Sequence, residues 1–396
     1  MITPRVADLA ARLPGAALPA YVHDLTALGA HAREVRAALP EGVELYYAAK
    51  ANPAPELLRA LAPHLDGYEV SSGGELAHVR AAVPGLPLAF GGPGKTEEEL
   101  RLALDLGVER FHVESENELR LLADLVDERP GDARADILLR VNLPAGEGCE
   151  LGGAVLAMGG RPGPFGLDPH RVEACLPLLR GRRLRLRGIH AHLASGLDAA
   201  AHLAVAARVV GWARSLADRY GIPLDEVVAG GGMAVDYVRP RTRFDWRAYG
   251  AGLRELAAAH PGVTLRIEPG RSLVAHCGWY VTEVLDLKHS QGEAFAVLRG
   301  GTHHLRTPAA KAHDQPFTVL PVEEWARSWP RPAALDEPVT LTGQLCTPKD
   351  VLARQVPVAE LRVGDRIAFA MAGAYAWNIS HHDFLMHPEP TFHFLD

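Results

Sequence analysis

Four apolar segments of this sequence end in residues that could bind or react with a small molecule. They are the run 43–49 before Lys50, the run 184–193 with His190 and His192, the run 226–229 before Gly230, Gly231 and Gly232, and the run 263–267 before Glu268, Gly270 and Arg271. A lysine removed from water shifts toward its neutral amine, the form that attacks a carbonyl group. Taken alone, Lys50 is better explained as a solvated lysine at the end of a strand.

The glycines and the arginine together could bind a phosphate group. Gly230–Gly232 can turn tightly and expose backbone N–H groups, and the guanidinium of Arg271 matches phosphate oxygens. A glycine-rich loop is more often only a turn, so this prediction depends on both segments.

Glu268 lies in an apolar segment, where an unpaired carboxylate is costly. It could face a pyridinium nitrogen or form a salt bridge with Arg266 or Arg271, and the residues do not decide between these interpretations. His190 and His192 are two apart on one strand, so both should point to the same side. They could stack on a ring or bind a metal, but we predict no metal because no acidic or cysteine partner occupies a matching position.

The elements that position these residues alternate between strands and helices. The predicted strands are 43–50, 67–72, 87–91, 110–114, 136–142, 184–193, 226–232 and 263–268. Eight such repeats predict a (β/α)8 TIM-type barrel over residues 25–273, with functional groups at the C-terminal ends of its strands. Residues 152–166 should form a long loop, and 330–336 a surface connection.

After residue 275 the apolar segments are shorter and are separated by Pro, Gly and His. They include 280–284 and 366–369 and predict a C-terminal antiparallel β domain. Residues 1–24 and 274–396 should together form this β-sandwich-like domain. The whole chain is therefore expected to be α/β.

Composition narrows the function. The 396 residues carry a formal net charge of −7 without a basic cluster, which argues against a nucleic-acid partner. We find neither a signal peptide nor an apolar run that could span a membrane, so we expect a cytoplasmic protein. The four cysteines, Cys149, Cys175, Cys277 and Cys346, are far apart and should be reduced.

Seven motifs, in order along nearly the whole chain, resemble the fold-type III pyridoxal phosphate decarboxylases, the family of ornithine, arginine and diaminopimelate decarboxylases. The motifs are 47–52 (YAAKAN), 70–76 (VSSGGEL), 192–196 (HLASG), 230–232 (GGG), 268–271 (EPGR), 346–350 (CTPKD) and 373–375 (GAY). The resemblance implies an amino-acid decarboxylase with pyridoxal 5'-phosphate as its cofactor.

The resemblance also implies a role for each matching residue. Lys50 would form a Schiff base with the cofactor, His192 would stack on its ring, and Glu268 would face the ring nitrogen. The phosphate would be surrounded by Ser195, Gly230, Gly231, Gly232, Gly270, Arg271 and Tyr375. The partner subunit of a homodimer would contribute Cys346, as the proton donor, and Asp350, so that the active sites are shared.

This sequence departs from the family pattern at positions that bear on the substrate. Thr347 replaces the acidic residue that binds a distal amine, Glu69 replaces an aspartate, and Pro164 replaces a common lysine. A neutral threonine cannot pair with an ammonium group, which disfavours basic substrates. Donor residues near the expected substrate instead favour an anionic distal group: Arg161, His303, His304, Arg306 and His382.

The segments around these donors resemble the siderophore-biosynthesis branch of the family. This implies a substrate like citryl-diaminopropionate. A decarboxylase of diaminopimelate or of a carrier-linked amino acid is the alternative enzyme, and a racemase fits the C-terminal motifs less well. An inactive regulatory protein that binds a partner is the alternative of another class, although it predicts a defective cofactor site.

Overall fold

Short apolar strands recur along the part of the chain that the computed structural model describes, residues 2–144, 156–157 and 159–396. In chain order the strands are β1 (Ala20–Asp24), β2 (Val43–Ala48), β3 (Gly67–Val70), β4 (Leu88–Phe90), β5 (Arg110–Val113), β6 (Ala135–Arg140), β7 (Leu156–Ala157), β8 (Leu184–His190), β9 (Ala194–Ser195), β10 (Glu226–Val228), β11 (Thr264–Ile267), β12 (Gly278–Ser290), β13 (Glu293–Leu298), β14 (Phe317–Leu320), β15 (Ala333–Thr342), β16 (Val351–Arg362), β17 (Arg366–Phe369) and β18 (Thr391–Leu395).

Helices lie between most of the early strands. They are α1 (Pro4–Arg12), α2 (Leu25–Ala38), α3 (Pro55–Leu61), α4 (Gly73–Ala82), α5 (Glu97–Asp105), α6 (Glu116–Glu128), α7 (Pro169–Cys175), α8 (Ala199–Tyr220), α9 (Trp246–Ala259), α10 (Arg271–Val274) and α11 (Thr307–Lys311). Short 3-10 turns cover Gly15–Ala17, Ala49–Ala51, Ala62–His64, Leu176–Leu179, Ala275–Cys277, Trp377–Ile379 and Phe384–Met386.

Local sequence explains where several helices begin. The Ser115 hydroxyl accepts a 3.0 Å hydrogen bond from the Glu118 N–H and so caps α6. Thr96 and Glu99 form a reciprocal capping box at the start of α5. The Asp198 carboxylate caps α8 by accepting a hydrogen bond from the Ala201 N–H. Each cap satisfies an N–H group that a helix cannot satisfy internally.

Eight of the strands pair in parallel and close into a barrel in the order β10, β11, β2, β3, β4, β5, β6, β8. All eight overlap the predicted strands, so the prediction of a (β/α)8 barrel is confirmed. These strands belong to a compact unit, here called the barrel unit, made of Gly29–Ala234 and Phe244–Leu273. Because the strands are parallel, their C-terminal ends meet at one end of the barrel.

Charged residues fill the opposite end of the barrel. The buried Arg266 donates to Glu44 at 2.6 Å and to Glu226 at 3.1 Å. Arg110 bridges Glu226 and Asp136. The other four residues lie at the N-terminal ends of β2, β5, β6 and β10, and the mutual pairing of all five offsets the cost of burying each charge.

A second compact unit, the β unit, comprises the described residues up to Leu28 together with Val235–Arg243 and Val274–Asp396. Its eight-stranded sheet contains the order β14, β17, β12, β13, β15, β16, with β1 paired to β12 and β18. Most pairs are antiparallel, as predicted, but β1 with β18 and β13 with β15 are parallel, so the sheet is mixed. One core of this unit surrounds Tyr280 and Phe369.

One detail differs from the sequence prediction. The segment predicted as a surface connection, 330–336, contains the start of β15 at Ala333, because Ala334 is buried and the strand pairs with β16. Part of the predicted long loop 152–166 lies outside the described residues, and so does Cys149. No described helix is long and apolar enough to cross a bilayer.

Candidate active site

Lys50 lies in a 3-10 turn directly after β2, at the C-terminal end of the barrel. Its Nζ donates to the carboxylate of Glu69, which is buried at the end of β3. The Ser71 hydroxyl donates to the other oxygen of this carboxylate at 2.9 Å. Burial would raise the pKa of Glu69, but the charge and hydrogen bond of Lys50, aided by Ser71, hold it below its ordinary value. Glu69 therefore binds Lys50 as a carboxylate.

Glu268 follows β11 and is buried. Its Oε2 lies 3.1 Å from Nε2 of His190, and its Oε1 has no hydrogen-bond partner among the described residues. Burial, reinforced by the negative charge of Glu69, raises the pKa of Glu268, while His112 partly opposes this effect. Arg266 pairs with the carboxylates at the other end of the barrel, so the predicted alternative of a salt bridge from Glu268 to Arg266 is not formed.

His112 was not identified from the sequence. Its ring stacks on that of His190 with a centroid distance of 4.1 Å, and its Nε2 lies 3.8 Å from Oε1 of Glu268. Burial holds the pKa values of both histidines well below the ordinary value, aided by His190 in the case of His112 and by Arg140 in the case of His190, so both rings are neutral. Inward-facing positions alternate along β5, and this alternation from Arg110 would have predicted that His112 points into the barrel.

His112, His190 and Glu268 also form a group of side chains close enough to one another to hold a metal ion. The sequence argument against a metal was that no acidic side chain accompanies the histidines. That argument was wrong, because Glu268 lies beside His190. The prediction that no metal binds stays a prediction.

The three glycines after β10 form a tight loop. A Cβ atom at Gly232 would lie 2.1 Å from the carbonyl oxygen of Ala194, and the φ angles of Gly230 and Gly232 are +71° and +99°. Only glycine accepts this combination of crowding and backbone angle. Among the described residues, the N–H groups of Gly230 and Gly232 donate to no acceptor. They are therefore available to an anion.

The predicted barrel residues lie around this loop. His192 accepts a 3.2 Å hydrogen bond from the Gly231 N–H at its Nδ1. Its pKa falls to about 3 because of desolvation and the charges of Arg140 and Lys50. Ser195 belongs to β9, and the next N–H, from Gly196, donates to the Gly232 carbonyl at 2.7 Å.

Hydrogen bonds place the ends of three strands side by side. The Glu268 N–H donates to the Gly230 carbonyl at 2.9 Å, and the Ala48 N–H donates to the Pro269 carbonyl at 3.2 Å. A Cβ atom at Gly270 would lie 2.9 Å from that of Ala51, and Arg271 begins α10. The amine, the glycine loop and the buried carboxylate are therefore neighbours at one end of the barrel.

Arg161 is exposed, and its carbonyl accepts a 3.0 Å hydrogen bond from Asn142.

Glu114 is the centre of a buried hydrogen-bond network that was not predicted from the sequence. The carboxylate of Glu114 accepts from Arg140 at 2.6 Å and from the N–H groups of Gly92 and Gly166. This network ties the described part of the loop before Gly166 to the barrel strands.

The remaining predicted residues belong to the β unit. Cys346 is exposed with a free thiol, and Thr347 follows it in a turn closed by a 3.1 Å bond from the Asp350 N–H to the Thr347 carbonyl. Asp350 is buried and accepts from the N–H groups of Thr302 and Leu345 at 2.7 and 2.8 Å. It joins two loops of this unit and has no solvent-facing carboxylate.

His303 and His304 are also buried, with exposures of 0% and 1%. Nε2 of His304 donates to the Pro388 carbonyl at 3.1 Å, so its Nδ1 accepts from the Tyr280 hydroxyl at 3.0 Å. Burial lowers the pKa of His303 to about 4 and that of His304 to about 3. As placed, neither ring offers a positive charge to a substrate.

Three other predicted residues of the β unit are more accessible. Arg306 is exposed at the start of α11, and its N–H donates to the Ser380 hydroxyl at 3.1 Å. His382 is half-buried and stacks on Trp377 with a centroid distance of 3.6 Å. Tyr375 is half-buried, and its carbonyl accepts from the Thr307 hydroxyl.

The barrel residues fit pyridoxal phosphate. Within the part of the chain that the structure describes, Lys50 supplies a primary amine, Gly230 and Gly232 supply N–H groups without an acceptor, and Glu268 supplies a buried carboxylate with one unsatisfied oxygen. An aldehyde, a phosphate and a basic ring nitrogen are the three groups that these features would bind. A cofactor that carries all three therefore matches the site.

Comparisons with known proteins agree with this fit. Residues 25–275 match the family model of the pyridoxal-dependent decarboxylases, pyridoxal binding domain. The chain is 41% identical to the 2-[(L-alanin-3-ylcarbamoyl)methyl]-2-hydroxybutanedioate decarboxylase of Staphylococcus aureus, over 95% of this chain and 93% of that protein. It is 32% identical to the L-glutamyl-acyl-carrier-protein decarboxylase of Niallia circulans, over 94% and 87% of the two chains.

Solved structures show the same fold. The diaminopimelate decarboxylase of Helicobacter pylori in complex with L-lysine superposes with a TM-score of 0.84 at 24% identity, covering 98% of this chain and 93% of that chain. The fold, the site and the family match lead to one identification. The chain belongs to the family of pyridoxal-dependent decarboxylases, and it is an enzyme that uses pyridoxal phosphate as its cofactor.

Proposed function

We propose that this enzyme removes the α-carboxylate of an amino acid whose distal end carries carboxylates, a compound of the citryl-diaminopropionate type. The observation that supports the chemistry is the adjacency of Lys50, the glycine loop and Glu268 at one end of the barrel. The relative that is 41% identical carries the name of such a substrate. This similarity extends over nearly the whole of both chains.

Lys50 would hold the cofactor through Nζ, Gly230 and Gly232 would bind its phosphate, and Glu268 would face its ring nitrogen. When bound, pyridoxal phosphate supplies a ring that accepts the electron pair left on the α-carbon as CO₂ departs. Glu69 holds the Lys50 amine at the mouth of the barrel and accepts its hydrogen bond.

His190 orients the carboxylate of Glu268 through the 3.1 Å contact. Both neighbouring imidazoles are neutral, so neither cancels its negative charge when it pairs with a ring N–H⁺. This pairing offsets the cost of burying Glu268, whose pKa burial otherwise raises.

Cys346 is the proposed proton donor. Its exposed Sγ would deliver a proton to the α-carbon after CO₂ leaves, which gives a primary amine as the product. We further propose a homodimer in which each copy supplies Cys346 and Asp350 to the site of its partner. Asp350 would act by holding the turn that carries Cys346, through its bond to the Leu345 N–H.

The accessible donors suggest how a distal carboxylate is bound. Arg306 and Arg161 are exposed and permanently charged, whereas the buried His303 and His304 are neutral. We therefore assign the distal carboxylates to the arginines, with His382 as a hydrogen-bond donor. Thr347 leaves this region without the negative charge that a basic substrate requires.

Two measurements test the proposal. Incubation of the purified holoenzyme with citryl-diaminopropionate, diaminopimelate and carrier-linked glutamate, followed by mass spectrometry, should show loss of CO₂ from the first compound at least about 100-fold faster than from the others. Equal or faster turnover of diaminopimelate would contradict the substrate. Loss of chirality without CO₂ release would contradict decarboxylation.

The second measurement concerns Lys50. The wild-type protein should show a visible absorption band that Lys50→Ala removes and that the exposed control Lys349→Ala retains. A wild-type protein that stays colourless with added pyridoxal phosphate would favour the inactive binding protein instead.

A further inference from the structure

Both backbone polar groups of Gly231, the N–H and the carbonyl, are hydrogen-bonded to imidazole rings. Its N–H donates to Nδ1 of His192 at 3.2 Å, and its carbonyl accepts from Nε2 of His202 at 2.9 Å. The hydroxyl of Tyr249 lies 2.8 Å from Nδ1 of His202. A row of hydrogen bonds thus links four groups: Tyr249 on α9, His202 on α8, Gly231 in the glycine loop and His192 after β8.

The hydrogens of this row can be assigned from its ends. A carbonyl oxygen can only accept, so Nε2 of His202 carries the proton. The neutral ring then has an acceptor at Nδ1, and Tyr249 must donate to it. Burial lowers the pKa of His202 to about 4, which keeps the ring in this neutral form. His192 likewise accepts at Nδ1, so its own proton is on Nε2.

The row is rigid. His202 and Tyr249 are 1% and 0% exposed, and their rings meet edge to face with a centroid distance of 5.1 Å. Phe244 and Trp246 pack edge-on against Tyr249. Neither His202 nor Tyr249 has access to substrate or cofactor, because both lie behind the loop in the helical layer.

We propose that His202 and Tyr249 are positioning residues that fix the peptide group between Gly231 and Gly232 and, with it, the direction of the Gly232 N–H toward the cofactor phosphate. The Gly231 carbonyl, which accepts from His202, and the Gly232 N–H belong to this one planar group, so its rotation would turn the N–H away from an anion. Among the described residues the Gly232 N–H donates to no acceptor. This inference rests on the proposed assignment of the glycine loop to the cofactor phosphate.

The test uses the full-length protein, stripped of cofactor, and compares the Kd of pyridoxal phosphate with that of pyridoxal, which lacks the phosphate. Tyr249→Phe should raise the Kd of pyridoxal phosphate about 5- to 10-fold and His202→Leu about 30-fold or more, with little change for pyridoxal. His202→Gln, whose amide N–H can still reach the Gly231 carbonyl, should recover most of the affinity.

Tyr68→Phe is the matched control. The Tyr68 hydroxyl is equally buried in the barrel unit and donates to the Leu58 carbonyl at 2.6 Å, away from the glycine loop. Its loss should lower Tm as much as Tyr249→Phe does but leave both Kd values within about twofold. If His202→Leu does not fold, the comparison of Tyr249→Phe with Tyr68→Phe decides.

A purely structural role for the two residues would lower Tm and leave the ratio of the two Kd values unchanged, and this result would overturn the proposal. Failure of the proposed function is a separate outcome. In that case the wild-type protein itself would bind pyridoxal phosphate no more tightly than pyridoxal.

Discussion

Nε2 of His190 lies 3.1 Å from Oε2 of Glu268, inside a barrel where both side chains are removed from water. His112 stacks on the far side of the same imidazole, so the ring of His190 has little freedom to rotate. The carboxylate is therefore held in place before any ligand arrives.

This arrangement predicts the effect of Glu268→Gln. The amide keeps the shape and a hydrogen bond to His190 but loses the negative charge that pairs with the cofactor ring. We expect kcat to fall about 100-fold or more, with a smaller loss of cofactor affinity, measured by steady-state kinetics and absorbance titration. Glu173→Gln, on a partly exposed surface pair with Arg219, is the control. An unchanged kcat would show that Glu268 is not the partner of the ring.

The proposed homodimer with shared active sites predicts complementation between inactive variants. Lys50→Ala and Cys346→Ala should each be nearly inactive as homodimers. In an equal mixture refolded or co-expressed together, half of the dimers are hybrids with one intact site, so activity should recover to about a quarter of the wild-type value. A mixture as inactive as its parents would place both residues in the same copy.

Thr347→Asp tests the selection of substrate. A new carboxylate beside Cys346 should repel an anionic distal group, so kcat/KM for citryl-diaminopropionate should fall about 10-fold or more. Turnover of diaminopimelate, relative to the first substrate, should rise. The uncharged replacement Thr347→Ser should change neither value by more than about twofold. Loss of activity on both substrates to the same extent would mean that the substitution disturbs the turn around Cys346 and does not act through its charge.

Lys95→Met tests the stability of the barrel. Lys95 is buried and donates to Glu118 at 2.6 Å and to the carbonyls of Gly92 and His112. Its loss leaves the carboxylate of Glu118 without its cation, which should lower the free energy of unfolding by about 3–5 kcal/mol. Arg120→Ala breaks an exposed pair with Glu116 and should cost less than about 1 kcal/mol. Urea unfolding followed by circular dichroism measures the free energy of unfolding of both variants, and equal losses would contradict this prediction.

Buried neutral histidines predict a loss of stability in mild acid. The pKa values of His202 and His304 are lowered to about 4 and about 3 from an ordinary value of 6.5. Between pH 6.5 and the lowered pKa values, each of these imidazoles binds a proton in the unfolded chain but not in the folded chain. The contribution of each histidine to the free energy of unfolding is therefore fully present above pH 6.5 and decreases as the pH falls. Each histidine should lower the free energy of unfolding by about 2 kcal/mol at pH 5, relative to its value at high pH.

The measurement is Tm against pH for the wild type and for His304→Asn. The variant should be less stable at neutral pH but should show a flatter profile between about pH 6.5 and pH 5. His170→Asn, at an exposed site, should leave the slope unchanged. Parallel profiles for all three proteins would show that His304 does not contribute.

Much of the barrel could be predicted from sequence because its apolar strands and capped helices alternate regularly. The eight strands and the fold were confirmed, and so was the family. What periodicity did not reveal is which polar side chains meet across the barrel. His112 and His190 come from β5 and β8, which lie on either side of β6 in the barrel, so their rings meet only in the folded sheet.

The substrate side was harder for a different reason. His303 and His304 were predicted from residue type and Asp350 from the family resemblance, and neither reveals whether a side chain faces solvent or satisfies a neighbouring loop. Two loops of the β unit depend on Asp350 for their hydrogen bonds. A polar residue that holds a loop and one that binds a ligand have the same sequence signal.

Arg266 lies in β11 and Glu268 directly after it, only two residues away, yet the guanidinium donates to Glu44 and Glu226 and none of its hydrogen bonds reaches Glu268. Among the described residues, the buried carboxylate of Glu268 therefore keeps one unsatisfied oxygen, and in the proposed site the cofactor ring would supply its cation. Folding and cofactor loading are thus thermodynamically linked, because a ligand that binds only the folded chain shifts it away from unfolding. We expect the supply of vitamin B6 to determine how much of this enzyme survives in a cell, as well as how much of it is active.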